Sequence, residues 1–281
     1  MKRHMQRIVG AIVVAVALML GASSALAAES IPVEMLGFEE LRQAAEQGCP
    51  YSQNELGLTY EFGRGIEVDY EQAAYWYRLA AEQGHSIAQI NLGWMYQLGR
   101  GVAQSYEQAM YWHRLSAIQG NARAQDSLGW LYEFGLGVEV NYEQAVYWYR
   151  LSAAQGYHTA QNSLGWMYRL GNGVARNFEQ AVYWYTHSAA QGNVFAQLNL
   201  GMMYQQGDGT IQSYKQAIYW YRLSAAQGYY RAQRNLAIMY QRGLGIVQNY
   251  TRAVHWFTQA AEQGCEDSQA ILESYDFGDV G

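Results

Sequence analysis

The sequence predicts an all-α chain built as a solenoid of helix-pair repeats, and three observations predict it. Leu-Gly recurs at 56/57, 92/93, 128/129, 164/165 and 200/201 and returns as Leu-Ala at 236/237, always 36 residues apart. Gln-Gly recurs with the same period at 47/48, 83/84, 119/120, 155/156, 191/192, 227/228 and 263/264. Only two Pro stand against 29 Gly, so glycine punctuates the chain, as helix C-caps and tight helix-to-helix loops require. No insertion breaks the register, which is the signature of stacked units that bury their apolar faces only against their neighbours. With half of its residues hydrophobic and 15% aromatic, the chain has the apolar surface to build such a core.

Residues 1–27 read as a secretory signal peptide. Lys2, Arg3 and Arg7 form a basic start, Ile8 to Leu20 an apolar stretch, and Ala25-Leu26-Ala27 a small-residue cleavage site. Thirteen apolar residues make a helix of roughly 20 Å, short of the ~30 Å hydrocarbon core that a membrane span must cross. Export is therefore expected, to the periplasm or onward to the surface or medium, with no membrane span after signal cleavage. Residues 28–48 follow as an N-terminal capping helix, 49–264 as six 36-residue repeats, and 265–281 as a C-terminal capping half-repeat.

Two helices can be read inside each repeat. In the second, the first helix spans about Ser86 to Leu98, with Ala88, Leu92, Met95 and Tyr96 on one face, and Gly99-Arg100-Gly101 stops it. Ser105 caps the second helix with Gln108 three residues on, and Asp69, Asn141, Asn177, Ser213 and Asn249 repeat the device. Its core face is Tyr106, Ala109, Trp112, His113 and Ser116, and Gly120 closes it. The invariant Trp76, Trp112, Trp148, Trp184, Trp220 and Trp256 are expected in the core. Gly-x-Gly pairs such as Gly63/Gly65 and Gly99/Gly101 lack the third glycine and the preceding strand of a phosphate-binding loop, so they read as helix punctuation.

Removal of residues 1–27 leaves 15 Lys and Arg against 24 Asp and Glu, a net charge of minus nine that argues against nucleic acid as a partner. Cys49 and Cys265 lie six repeats apart. At about 8 to 10 Å per repeat they are separated by on the order of 50 Å, against a Cα limit near 7 Å for a disulfide. They read as buried thiols, or as the source of an intermolecular disulfide through Cys49 or Cys265.

The run Leu-Gly-Trp-Met-Tyr-x-x-Gly-x-Gly-Val, followed by Tyr-Glu-Gln-Ala-x-Tyr-Trp-Tyr-Arg-Leu-Ser-Ala-x-Gln-Gly, resembles the Sel-one-like repeat family, a relative of the tetratricopeptide repeats. The resemblance implies a right-handed α/α superhelical solenoid with the first helix of each pair lining its concave side. It also implies adaptor, envelope-regulatory or host-engaging roles, without identifying a partner. Ala237, Glu273 and Tyr275 depart from the motif at its end, and no repeat carries the cysteine pair of the cysteine-rich members.

On a helical wheel of the second repeat, Ile87, Ile90, Asn91, Trp94 and Leu98 lie opposite Ala88, Leu92 and Tyr96. The Trp94 column reads Leu58, Trp94, Trp130, Trp166, Met202, Ile238, and the neighbouring columns supply Asn54, Asp126, Arg123, Arg231 and Arg234. Trp94, Trp130, Trp166, Met202, Ile90, Asn91, Arg123, Arg231 and Arg234 are accordingly the candidate protein-binding residues, because aromatic and Met side chains flanked by Asn and Arg match binding hot spots. The same tryptophans could equally pack against one another between adjacent helices. The Tyr75, Tyr111, Tyr147, Tyr183 and Tyr219 column offers a second surface.

No catalytic constellation emerges: His85, His113, His158, His187 and His255 fall in scattered columns, no metal spacing or cofactor motif is present, and Glu61 with Glu67 sits at a loop. Three functions are carried forward: a scaffold or adaptor binding an envelope protein, a secreted or surface factor binding a host protein such as an immunoglobulin, and, weakest, a cell-wall-acting hydrolase.

Overall fold

The computed structural model describes residues 37–274, so the signal peptide of residues 1–27, the start of the capping segment and residues 275–281 lie outside the described residues. Fourteen helices and no strand are found among the described residues. They fall into two compact units that divide after Val140.

The first unit holds α1 (Phe38–Glu46), α2 (Pro50–Phe62), α3 (Tyr70–Glu82), α4 (Ser86–Leu98), α5 (Tyr106–Ile118) and α6 (Ala122–Phe134). The second holds α7 (Tyr142–Ala154), α8 (His158–Leu170), α9 (Phe178–Ala190), α10 (Val194–Gln206), α11 (Tyr214–Ala226), α12 (Tyr230–Arg242), α13 (Tyr250–Ala261) and α14 (Glu266–Ser274). Within each unit every helix packs on the one before and the one after it, the layering of an α-solenoid. No helix of the described residues is long and apolar enough to cross a membrane.

Local chemistry sets the ends. Asp69, Ser105, Asn141, Asn177, Ser213 and Asn249 each accept a bond from the backbone N–H three residues on, satisfying a donor that the first turn leaves open. Each first helix of a repeat stops at a glycine in the left-handed region, Gly99 at φ 66° being one.

The deepest side chains lie one position beyond the invariant tryptophans. Tyr77, His113, Tyr149, Tyr185, Tyr221 and Phe257 are fully buried. Four of these rings lie flat on the glycine of a Leu-Gly pair: a Cβ on Gly57, Gly93, Gly165 or Gly201 would come within 2.6–2.7 Å of Tyr77, His113, Tyr185 or Tyr221. The repeated glycine is therefore a seat for a ring. The tryptophan expectation needs correcting in degree. Trp76 and Trp112 are buried, but Trp148, Trp184, Trp220 and Trp256 are half-buried, and Trp220 and Trp256 cover the edge of a core cluster and not its centre.

The Gln-Gly dipeptide also gains a physical reason. Gln89 is buried, donates from Nε2 to the Ala81 carbonyl at 3.1 Å, and accepts from Gln119 Nε2 at 2.7 Å. The same glutamine pair forms between Gln83 and Gln53, Gln191 and Gln161, Gln227 and Gln197, and Gln263 and Gln233. Beside it Ser116, Ser188 and Ser224 donate to the carbonyls of Ser86, His158 and Val194. Each repeat end is thus bolted to the first helix of its own pair by buried polar bonds. Gln89→Leu keeps the volume but removes two side-chain bonds, leaving the Ala81 carbonyl with the Gly84 N–H and the Gln119 amide with the Leu115 carbonyl, so it should cost about 1 to 2 kcal/mol in urea unfolding. Gln119→Leu, at the exposed end of the same chain of bonds, should cost about 1 kcal/mol or less.

Candidate protein-binding face

The nine candidate residues divide between the units. Ile90, Asn91, Trp94, Arg123 and Trp130 belong to the first, on α4 and α6; Trp166, Met202, Arg231 and Arg234 belong to the second, on α8, α10 and α12.

Two of them do not face solvent. Ile90 is 1% exposed and Asn91 8% exposed, with Asn91 Nδ2 donating to Asn54 Oδ1 at 3.1 Å across the neighbouring first helix. Here α2 reaches α4 through that bond, so part of the face opposite Ala88 and Leu92 is closed. Asn199 repeats the bond to Asn162 at 3.1 Å, so both asparagines tie one repeat to the next.

The remaining first-unit residues form a small aromatic and cationic cluster. The Arg123 guanidinium lies over the Trp94 ring at 4.2 Å, Trp94 Nε1 donates to Ser127 Oγ at 3.3 Å, and Trp130 leans on Phe134 at 5.5 Å. Trp94 and Trp130 are half-buried, so part of each ring packs and part stays open. Ile87 and Leu98, at the edges of the same face, are exposed. Asp126, one turn from Trp130, has its carboxyl pushed up to about 7 by burial and by the charge of Glu133.

The second unit brings its four candidates together. Trp166, Met202, Arg231 and Arg234 line one open groove of about 560 Å³ that crosses α8, α10 and α12 and ends at α14. Trp166 is 36% exposed, with the Arg169 guanidinium 5.6 Å from its ring. Arg231 is exposed, stands over the Tyr230 ring at 5.7 Å and donates from Nε to Tyr230 Oη at 3.0 Å. Arg234 pairs with Asp267 at 3.0 Å. Sequence reasoning missed Arg169, Asn199 and Asn235, which also line the groove. Arg169 occupies the column of Glu61, Gln97, Glu133 and Gln205, and that column's change of sign in one repeat was the available signal.

The cysteines are both free. Cys265 is 6% exposed and its Sγ accepts from Ser268 at 3.2 Å, so of the two thiols only the half-buried Cys49 is open to a partner, and the expectation of an intermolecular disulfide narrows to it. The tyrosine column of the second helices is half exposed at Tyr75, Tyr111, Tyr147, Tyr183 and Tyr219, each edge-on to the tryptophan beside it.

The comparisons agree with this architecture. The family model for the Sel1 repeat matches six times, at residues 50–85, 86–121, 122–157, 158–193, 194–229 and 231–265. The protective antigen c5321 of uropathogenic Escherichia coli, which displays an SLR fold, is 41% identical with a TM-score of 0.80 over 84% of this chain; the chain spans only about half, 51%, of that protein. A Sel1 repeat protein from Oxalobacter formigenes is 36% identical with a TM-score of 0.71, over 79% of this chain and 92% of the other. The immunity protein PA5088 from Pseudomonas aeruginosa, at 15% identity and a TM-score of 0.50 over 81% and 87% of the two chains, shares the fold alone. No curated protein matches the chain. Since six consecutive repeat matches cover most of its length and the Oxalobacter relative is matched over nearly its whole length, the chain belongs to the Sel1 repeat family, whose members generally mediate protein–protein interaction.

Proposed function

We propose that this chain is an exported scaffold or adaptor of the bacterial envelope that binds a partner protein on the face of its first helices, and that it is not an enzyme. One observation carries the reading. The second-unit groove gathers a tryptophan, a methionine and arginines around an open volume of about 560 Å³, a composition that suits a protein hot spot. Export rests on the signal-like residues 1–27. The alternative, a secreted or surface factor that binds a host protein, is favoured by the description of the 41% identical relative as a protective antigen.

The test is affinity capture with the chain from residue 28, offered envelope extract and host secretions in parallel, beside a variant carrying Trp94→Ala, Trp130→Ala and Trp166→Ala. Loss of a captured partner by a variant that melts within a few degrees of the parent supports the first-helix face, and the partner's source decides between envelope and host. Undiminished capture of the same partner moves the site to the second helices and their exposed tyrosines. Fractionation adds the location: release by osmotic shock favours the adaptor, and recovery from the surface or medium favours the host binder.

A further inference from the structure

The first helices of the complete repeats carry opposite charge in the two units, while the half-repeat helix α14 adds Glu266, Asp267 and Glu273 to the second. Those of the first unit, α2, α4 and α6, hold Glu55, Glu61, Asp126 and Glu133 against the single Arg123. Those of the second, α8, α10 and α12, hold Arg169, Arg231, Arg234 and Arg242 and not one Asp or Glu, in a chain whose net charge is −6. Three of these arginines line the groove, and the acids on its lining, Glu266 and Asp267, come from α14 at its end.

Only one of the three groove arginines has an acid partner among the described residues. Arg234 meets Asp267, which reaches in from α14 at the groove's end, and Arg234 Nε is buried without an acceptor. Arg169 and Arg231 instead lie against aromatic rings, Trp166 and Tyr230. Stacking fixes a guanidinium plane, and although Arg231 Nε is taken by Tyr230 Oη, the two Nη groups of each arginine remain as an edge for a planar, two-pronged acceptor, the geometry a carboxylate matches. Asp267 already seats one carboxylate in this groove. Between the cations lie the Trp166 ring, Leu198 and Met202, with Asn199 and Asn235 beside them.

We propose that this groove takes an acidic peptide segment of a protein partner, with carboxylates on Arg169 and Arg231 and an aromatic or aliphatic side chain between them on Trp166 and Met202. The assignment rests on the protein-binding reading above and adds its partner chemistry. Arginine clusters recognise acidic segments in this way, with charge governing encounter and the apolar anchor governing residence.

A random-peptide display selection on the full chain, followed by fluorescence anisotropy with the labelled winners, tests it. The enriched peptides should carry two or more Asp or Glu around an apolar residue. Their Asn/Gln counterparts should bind about tenfold more weakly or worse, and binding should weaken as salt rises, since exposed pairs are screened within about 10 Å at 0.1 M. Arg169→Gln and Arg231→Gln, with unchanged melting temperatures, should each weaken binding about tenfold, and Arg123→Gln in the first unit should not. Failure to enrich any peptide overturns the proposal, as do acidic peptides indifferent to both groove substitutions. Neutral or basic winners that Trp166→Ala abolishes overturn the acidic assignment while leaving the groove as a protein-binding site, so the two failures are told apart.

Discussion

Gly101→Ala should destabilise the first unit by at least about 3 kcal/mol, while the equivalent Gly65→Ala should cost roughly 1 to 2 kcal/mol. Both glycines stand at positive φ, +64° and +79°, where an L residue pays a backbone penalty. They differ in their surroundings. A Cβ on Gly101 would lie 1.9 Å from the Tyr70 carbonyl oxygen and 2.7 Å from the Glu71 amide nitrogen, whereas one on Gly65 meets nothing within 4 Å. Backbone cannot swing aside as a side chain can, so the loop after α4 must lift off the first turn of α3. Gly137, Gly173, Gly209 and Gly245 make the same approach to Tyr106, Tyr142, Phe178 and Tyr214, each 31 residues earlier. Gly65 alone of the six has no described repeat before it to approach, which makes it the internal control. Urea unfolding of the two variants against the parent gives the comparison. Equal losses would mean that left-handed strain is the whole cost and that the loop contact adds nothing.

That contrast also marks what the sequence could and could not reveal. The second glycine of each pair reads as punctuation, yet its reason is a contact with the previous repeat, which no local pattern displays. Helix ends are local, and they were legible. The expected span Ser86 to Leu98 is the span found, because a cap and a left-handed glycine fix it from within. Burial between helices is not local. The invariant tryptophans drew the core assignment, but the fully buried column is the chemically mixed one, Tyr77, His113, Tyr149, Tyr185, Tyr221 and Phe257. Its members vary because their outer ends meet different residues: Tyr77 donates to Glu61 and Tyr221 to Gln205, both at 2.6 Å, while Phe257 has nothing to donate. Where the seat is Ala237 and not Gly, the ring two helices' span on is that Phe257, and both are fully buried.

The candidate face was legible in part for a similar reason. A helical wheel knows one helix, and it separates Trp94 from Leu92 correctly. It cannot know that the neighbouring first helix closes over Ile90 and Asn91. Four of the nine residues, Trp166, Met202, Arg231 and Arg234, do converge, and they come from three helices at the 36-residue register that the sequence displayed. Arg169 was passed over because its column points along the buried ring of the second helix, where Glu and Gln serve as acceptors. An arginine there has no acceptor to offer, so Tyr185 Oη is left buried without a partner and the guanidinium turns to Trp166.

His113 should cost the first unit stability in acid, and His113→Tyr should remove that cost. The imidazole fills the ring position of its repeat: it is fully buried, lies on Gly93, and has Nε2 3.4 Å from Gln97 Oε1 with Nδ1 unpartnered. Burial pushes its pKa down to about 3 from an ordinary 6.5. Below pH 6.5 the unfolded chain takes up a proton that the folded chain refuses, so stability falls with pH from 6.5 until the folded pKa is reached. The slope approaches about 1.4 kcal/mol per pH unit, or about 2 kcal/mol lost at pH 5. Tyrosine is the residue of the neighbouring repeats, and from position 113 its hydroxyl should reach Gln97 as Tyr221 reaches Gln205. Asp126 in the same unit carries the opposite sign. Its carboxyl is raised to about 7, so the folded chain holds a proton that the unfolded chain has released, and stability falls as pH rises from the ordinary carboxylate range through 7. Asp126→Asn should therefore stabilise the protein at pH 8 more than at pH 5, while His113→Tyr should stabilise it at pH 5 more than at pH 8. Urea midpoints of the parent and the two variants at both pH values form the test. Because Asp126 offsets His113 in the parent, the readout is the difference between variant and parent: a His113→Tyr stabilisation that is the same at pH 8 and at pH 5 would show that the buried imidazole is accommodated as a cation by water or by a rearranged Gln97.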